Sequence, residues 1–195
     1  DMLRTGIDPA YLDGWVPTNM GDGRVIEVRA FGARCVHITA GNSPVLAALA
    51  VIRNAMTRGD AIIKSPSNDP LTAAAIVRTM VDLAPDHPLT AHVSAAYWRG
   101  GDERIEAVIY QPQNIDKIVA WGGYASIKHI TRYLQPGLEL VSFDPKRSVS
   151  IIGEGAFADE TALGDAAQRL AIDIGQLNQS ACASARTVFV LCGTD

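Results

Sequence analysis

Few of the devices that advertise a particular chemistry occur in this sequence. It has no Gly-x-Gly-x-x-Gly, so the usual dinucleotide fingerprint is missing, and no Gly-x-x-x-x-Gly-Lys-Ser/Thr phosphate loop. Its three cysteines, Cys35, Cys182 and Cys192, are an odd number without Cys-x-x-Cys spacing. That excludes a disulfide framework and a cysteine zinc site, and it points to a reducing compartment, with the cytoplasm as the default. No apolar run approaches the ~20 residues a membrane span requires. The start, Asp1-Met2-Leu3-Arg4, lacks a charged region followed by an apolar core, so it does not read as a signal peptide; without Met at position 1 it reads as a cut end. Net charge is only −4 and no Lys/Arg cluster occurs, which gives no case for nucleic acid as a partner. The four histidines, His37, His87, His92 and His129, show no ligand spacing. No metal site is expected, and each reads as a satisfied structural histidine.

What is present is an ordinary α/β composition. The 195 residues are 48% apolar and 19% charged, enough for one large domain or one and a half small ones. Short apolar runs alternate with helical periods, which predicts a parallel sheet flanked by helices. Strands are expected at 24–30, 34–39, 61–63, 89–97, 117–121, 138–143, 149–152 and 187–191. A first helix is expected after Ser43 as cap and Pro44 as first helical residue, closed by Gly59, with Leu46, Leu49, Ile52 and Met56 as its apolar face. Asp69-Pro70 repeats the cap-and-proline start for a second helix running to Leu83. Asp102 caps a helix over 103–110, and a further helix is expected near 126–133. Asp159 caps a long helix with the stripe Leu163, Ala166, Ala167, Leu170, Ile174 and Leu177.

Three segments offer chemistry, each with a plainer alternative. His37-Ile-Thr-Ala-Gly-Asn42-Ser-Pro44 runs from a strand into a helix start, where backbone N–H groups favour developing negative charge and Asn42 adds a donor. A turn and cap is the preferred reading of this segment taken alone. Ile62-Ile63-Lys64-Ser-Pro-Ser67 ends a buried strand in a lysine at its C-terminus, the edge where open α/β sheets collect ligands. Lys64 could bond a ribose or phosphate, with Ser67 as a neutral donor, or could simply be solvated. Asn178-Gln-Ser-Ala-Cys182-Ala-Ser-Ala-Arg186 places a cysteine among small residues between helix and strand. A thiolate attacks thioesters well and leaves again, so Cys182 suits acyl transfer. The alternative, a small buried hydrophobe, is the reading preferred for Cys35 and Cys192.

Taken in order, these segments resemble the aldehyde dehydrogenase superfamily and, within it, the LuxC-type acyl-CoA reductases. Gly41-Asn42 matches a Gly-Asn before the first helix, and Lys64 to Ala73 matches a strand-Lys segment ending Pro-Leu-Thr-Ala. Ile115-Asp116-Lys117-Ile118 with Trp121 and Gly122-Gly123 matches a strand followed by glycines, and Gln179 to Arg186 matches the cysteine segment. The resemblance covers most of the chain, from about Tyr11 to Val190. It implies a Rossmann-like parallel sheet with helices on both faces, followed by the start of a second α/β catalytic domain. On that reading 1–144 is a cofactor-binding domain lacking its N-terminal part, and 145–195 is the first segment of the catalytic domain. It implies Cys182 as the acylated nucleophile, Asn42 as oxyanion donor, Lys64 at the adenosine ribose and Gly122 and Gly123 near the pyrophosphate.

Two departures from the superfamily pattern narrow the chemistry. NAD-preferring members often carry a Glu three residues after the lysine; here Ser67 removes a charge that repels a 2′-phosphate, which favours NADPH. Hydrolytic members carry a general-base Glu where Phe143 stands in Phe143-Asp144-Pro145-Lys146, although Asp144 is one residue away. Without a base to activate water, a thioester survives long enough to be reduced. The expected activity is therefore NADPH-dependent reduction of an acyl-CoA or other acyl thioester to an aldehyde, in a homo-oligomeric parent enzyme. A non-catalytic nucleotide-binding fragment and a phosphoacyl reductase are the alternatives.

Overall fold

Runs of Ile, Val and Ala form short buried strands, and the longer segments between them carry the Ala- and Leu-rich periods of helices. The computed structural model describes residues 8–143 and 147–191. Asp1-Met2-Leu3-Arg4, Asp144-Pro145-Lys146 and Cys192 therefore lie outside the described residues. The chain divides into two units, Asp1–Phe143 and Asp144–Asp195.

The first unit opens with a helical turn, α1 (Ala10–Asp13), and an antiparallel hairpin of β1 (Val16–Asn19) and β2 (Val25–Val28). Sequence reading expected only the second of these strands. Pro17 disguises the first, because a proline cannot donate to a ladder and is tolerated only at such edges. There follow β3 (Arg34–Ile38), α2 (Val45–Met56), β4 (Asp60–Lys64), α3 (Thr72–Leu83), α4 (Pro88–Ala91), β5 (Val93–Ala96), α5 (Glu103–Ile109), β6 (Lys117–Trp121), α6 (Tyr124–Ile130) and β7 (Glu139–Phe143). The strands from β3 to β7 pair in the order β5-β4-β3-β6-β7, every pair parallel. The strand expected over 89–97 is shorter than that, because His87 caps α4 through Leu89 N and Pro88 opens it.

Two apolar clusters sandwich this sheet. Val36, Ile118 and Ala120 point to one face and pack with Tyr110 of the α5 end and Ile130 of α6. Ala61 and Ile63 point to the other and pack with Ala47, Ala50 and Val51 of α2 and Ala73 of α3. The face of α2 is thus rotated from the one expected. Ala47, Ala50, Val51 and Asn54 are buried, whereas Ile52 is exposed. Small side chains let the helix backbone come close to the sheet, and the larger residues lie at its margin. Ser43 makes no side-chain cap; its carbonyl instead accepts from Leu46 N. At the other end Arg58 enters the left-handed region, with φ 56°, one residue before the expected Gly59. The Asp102 and Asp159 caps form as read, accepting from Arg104 N and Ala162 N.

The second unit is a βαβ element: β8 (Ser148–Ile152), α7 (Glu160–Gly175) and β9 (Ala185–Val190), the two strands parallel. No residue of α7 is buried. Ala166, Leu170 and Ile174 of the expected stripe are half-buried, while Leu163, Ala167 and Leu177 are exposed. Two strands and one helix give a stripe only one narrow surface to cover.

Of the four histidines, His37 departs from the satisfied state expected of it. It is 5% exposed, and neither ring nitrogen has a hydrogen-bond partner among the described residues. It stacks on Trp121 with ring centroids 5.9 Å apart. Burial pushes its pKa down, and Asn54 nearby opposes that only in part. The fold selects the neutral imidazole, so its contribution to stability is complete above the ordinary histidine value of ~6.5 and is lost as pH falls from there toward the lowered value. Urea midpoints measured from pH 8 down to pH 5 are expected to fall more steeply for the native sequence than for His37→Phe, which keeps the stack but cannot be protonated. Equal slopes would assign the acid sensitivity to other groups.

Candidate active site

In a parallel sheet every strand ends at the same edge, so loops following different strands converge there. The register places Ile38, Lys64, Ala96 and Ala120 in one row across the C-terminal ends of β3, β4, β5 and β6. Strand order reverses between β3 and β6: β4 and β5 lie to one side of β3, and β6 and β7 to the other. Ligand crevices of open α/β sheets form at such a switch point. Asn42 follows β3, Lys64 ends β4, Ser67 follows it, and Gly122 and Gly123 follow β6. The fold brings all five to one edge.

The loop carrying Asn42 is tied to the loop carrying Ser67. Thr39 donates from both its backbone N–H (3.2 Å) and its hydroxyl (3.1 Å) to Lys64 O. Asn68 Nδ2 donates to Gly41 O at 2.8 Å. A Cβ added at Gly41 would lie 1.7 Å from Asn68 Oδ1, so only glycine permits this approach. Asn42 itself is exposed, as is Ser67. Asp69 anchors the start of α3 by accepting from Thr72 N (3.2 Å) and the Thr72 hydroxyl (2.8 Å). Gly122 is similarly constrained, since a Cβ there would sit 3.1 Å from Ser126 Cβ, while Gly123 has open space around it.

Lys64 is 8% exposed. Its ammonium lies 5.9 Å from the ring centroids of both Tyr97 and Trp98, in range for a cation–π attraction. Burial pushes its pKa down, and the Glu106 carboxylate acts in the opposite sense. Lys64 and Glu106 line a cavity of about 260 Å³ between α5 and α6, with Ile38, Gly101, Ser126 and His129. Sequence reading missed Glu106 and took His129 as structural. The available signal was an acidic residue on the same helical face as the buried Tyr110, at a spacing of four. Asn68 was missed too, because nothing local marks its reach across 27 positions of sequence to Gly41.

Trp121 and Phe143 end neighbouring strands and stack at 4.7 Å with an interplanar angle of 4°. The Arg53 guanidinium lies 6.0 Å from the Phe143 centroid. The position compared with a hydrolytic base is thus an aromatic surface. Asp144 lies outside the described residues.

In the second unit Cys182 lies on the loop between α7 and β9 and is exposed. Its carbonyl accepts from Ser148 Oγ of β8 at 2.7 Å. The buried Ser184 hydroxyl donates to Gln176 O at 2.7 Å, and Arg186 donates to Gln179 O at 3.3 Å. Between these ties Leu177, Asn178 and Gln179 take left-handed φ angles of 47°, 51° and 59°. Three consecutive non-glycine residues there are unusual, and such strain persists only where surrounding contacts impose it. Cys35, by contrast, is half-buried at the start of β3, and burial pushes its thiol up to about 11. Cys192 lies outside the described residues. Among the described residues no cluster of three His, Cys, Asp or Glu could hold a metal ion.

The sequence matches the profile of the acyl-CoA reductase (LuxC) family over residues 4–194. It is similar to the long-chain acyl-protein thioester reductase of Aliivibrio fischeri, with 34% identity over 92% of this chain and 36% of that protein. The namesake from Photorhabdus luminescens is 32% identical over 98% of this chain and 38% of its own length. The chain thus spans little more than a third of these relatives. Among solved structures, a Mycobacterium tuberculosis aldehyde dehydrogenase complexed with NAD+ superposes with a TM-score of 0.71 at 18% identity, over 91% of this chain and 35% of the other. The fold is that of the aldehyde dehydrogenases.

The tie between the two loops is open to measurement. Gly41→Ala and Asn68→Ala are each expected to cost about 1 kcal/mol of stability, the ordinary value of one such hydrogen bond. The double variant should be little worse than either single one, because both remove the same contact. Additive losses in denaturant unfolding would mean that the two residues act independently.

Proposed function

The chain belongs to the acyl-CoA reductase (LuxC) family, and from that premise we propose that its parent enzyme reduces an acyl thioester to an aldehyde through an acyl group held on Cys182. The observation that carries this reading is the exposed Cys182 on a loop held by Ser148 and Ser184. The relatives' names, which specify acyl-protein thioesters, support a carrier thioester as the substrate class. The first unit is the cofactor-binding part and the second the start of the catalytic part.

The reaction begins when the Cys182 thiolate attacks the thioester carbonyl. The C–S bond to the carrier breaks, the carrier leaves as a thiolate that takes its proton from solvent, and the acyl group remains on Cys182. The backbone N–H of Cys182 stabilises the negative oxygen of the tetrahedral intermediate, the role that the family resemblance also gives to Asn42. A nicotinamide cofactor, held by Lys64 and Ser67 when bound, would supply the hydride needed to bring the acyl group on Cys182 to the aldehyde level. Cys182 then leaves as a thiolate, free for another turnover. Phe143 offers no proton acceptor at the position where hydrolytic members have a base, so water is not activated to release a free acid.

The residues at the sheet edge fit a dinucleotide. A half-open cavity at the switch point, a buried lysine and a backbone turn at Gly122-Gly123 match what an adenosine ribose and a pyrophosphate require. Lys64 and Ser67 would hold the ribose end, and Ser67 in place of a carboxylate favours the 2′-phosphate of NADPH.

Labelled acyl-CoA given to the parent enzyme is expected to leave a covalent adduct on Cys182 that Cys182→Ala abolishes. An adduct that persists in that variant rejects the assignment. Asn42→Ala should slow acylation by about 100-fold or more, near 3 kcal/mol, without removing it. Ser67→Glu should move the ratio of NADPH to NADH affinity by at least about tenfold toward NADH, since it returns a like charge beside the 2′-phosphate. An unchanged ratio would place cofactor choice elsewhere.

A further inference from the structure

A carboxylate removed from water needs compensation, and Glu106 is 2% exposed. It accepts three hydrogen bonds from two segments, the loop after β5 and α6 with the turn that continues it. Gly101 N, on the loop after β5, donates to Oε1 at 3.0 Å. His129 Nε2, on α6, donates to Oε2 at 2.5 Å, and the Tyr133 hydroxyl donates to the same oxygen at 3.2 Å. The Arg132 guanidinium donates to His129 Nδ1, which leaves the proton on Nε2 where Glu106 needs it. Burial alone would push the Glu106 carboxyl up, but these donors outweigh it and hold it below the ordinary carboxylate value. An anion is thereby fixed in the wall of the cavity that Lys64 also lines.

Resting on the cofactor reading above, we propose that Glu106 is a positioning residue of the dinucleotide cleft. It clamps the Gly101 loop to the α6 wall and sets a fixed negative charge in the cavity that it lines together with Lys64. Neither helix makes this contact by its own geometry; it exists because one carboxylate reaches both walls. The charged and titratable groups around it are Lys64 from β4, Glu103 and Tyr110 from its own segment, and His129, Arg132 and Tyr133 from the opposite wall. Within this set, burial pushes the Lys64 pKa down and the Glu106 carboxylate acts in the opposite sense.

The test is NADPH binding to the intact chain by calorimetry between pH 6 and pH 9.5, with Glu106→Gln, Lys64→Arg and the double variant beside the native sequence. Glu106→Gln keeps the shape and removes the charge. It should bind several-fold more weakly at pH 6 and lose a further tenfold or more by pH 9.5, where the native chain and Lys64→Arg stay parallel. The double variant should lose the extra pH dependence, because a guanidinium stays protonated throughout. A purely structural role for Glu106 would weaken binding equally at every pH, and that result overturns the proposal. So does a native chain whose affinity falls below pH 9 while Lys64→Arg does not, a comparison that needs no Glu106 variant to fold. A native chain that binds no dinucleotide at any pH overturns the cofactor reading and this proposal with it. Native binding matched by Glu106→Gln overturns the proposal alone.

Discussion

β3 pairs in parallel with β4 on one side and β6 on the other, and the rest of the first unit is arranged around that pairing. Parallel neighbours require crossovers, so each strand must be followed by a helix that returns the chain to the same starting edge. Helices then cover both faces, and strand residues point alternately into two apolar clusters. The central strands accordingly carry apolar residues toward both faces, with the charged residues at their ends. The price of this arrangement appears at His37, which sits mid-strand with no partner for its ring nitrogens among the described residues and relies on stacking against Trp121.

The same pairing determines where chemistry can collect. Loops after β3, β4, β5 and β6 meet at one edge, and two contacts tie segments there to one another. Asn68 reaches Gly41 across the first pair of loops, and Glu106 joins the loop after β5 to α6. Both are polar contacts between segments far apart in sequence, and both border residues proposed to bind ligand. Charge there is sparse and local: one buried lysine and one buried carboxylate share a cavity on a chain whose overall net charge is only −4. On the proposed reading, such a site recognises a dinucleotide through a few placed groups, without a broad positive field.

Much of this was legible from residues alone. Aspartate marked the helix starts after Asp102 and Asp159, because capping depends on three or four adjacent residues. Lys64 at a strand end and Gly122-Gly123 after another were visible for the same local reason. The buried face of α2 was misread because the larger residues Leu46, Leu49 and Ile52 outweigh Ala47 and Ala50 in any hydrophobic count, whereas close packing on a sheet favours the small ones. Asn68, Glu106 and His129 were unreadable as a group because their partners come from other segments. Ser43 looked like a cap by type, yet its carbonyl rather than its hydroxyl meets the helix.

The amino-acid sequence by itself determined the alternation of strand and helix, the family, and the identity of Cys182, Asn42, Lys64 and Ser67 as candidates. These depend on local periodicity and on motifs a few residues long. Tertiary structure alone decided that Lys64 is buried beside a carboxylate, that Asn68 ties down the loop bearing Asn42, and that Leu177 to Gln179 turn left-handed ahead of the cysteine. Each of those depends on groups that packing brings together from distant positions, and burial then sets how strongly their charges and hydrogen bonds act.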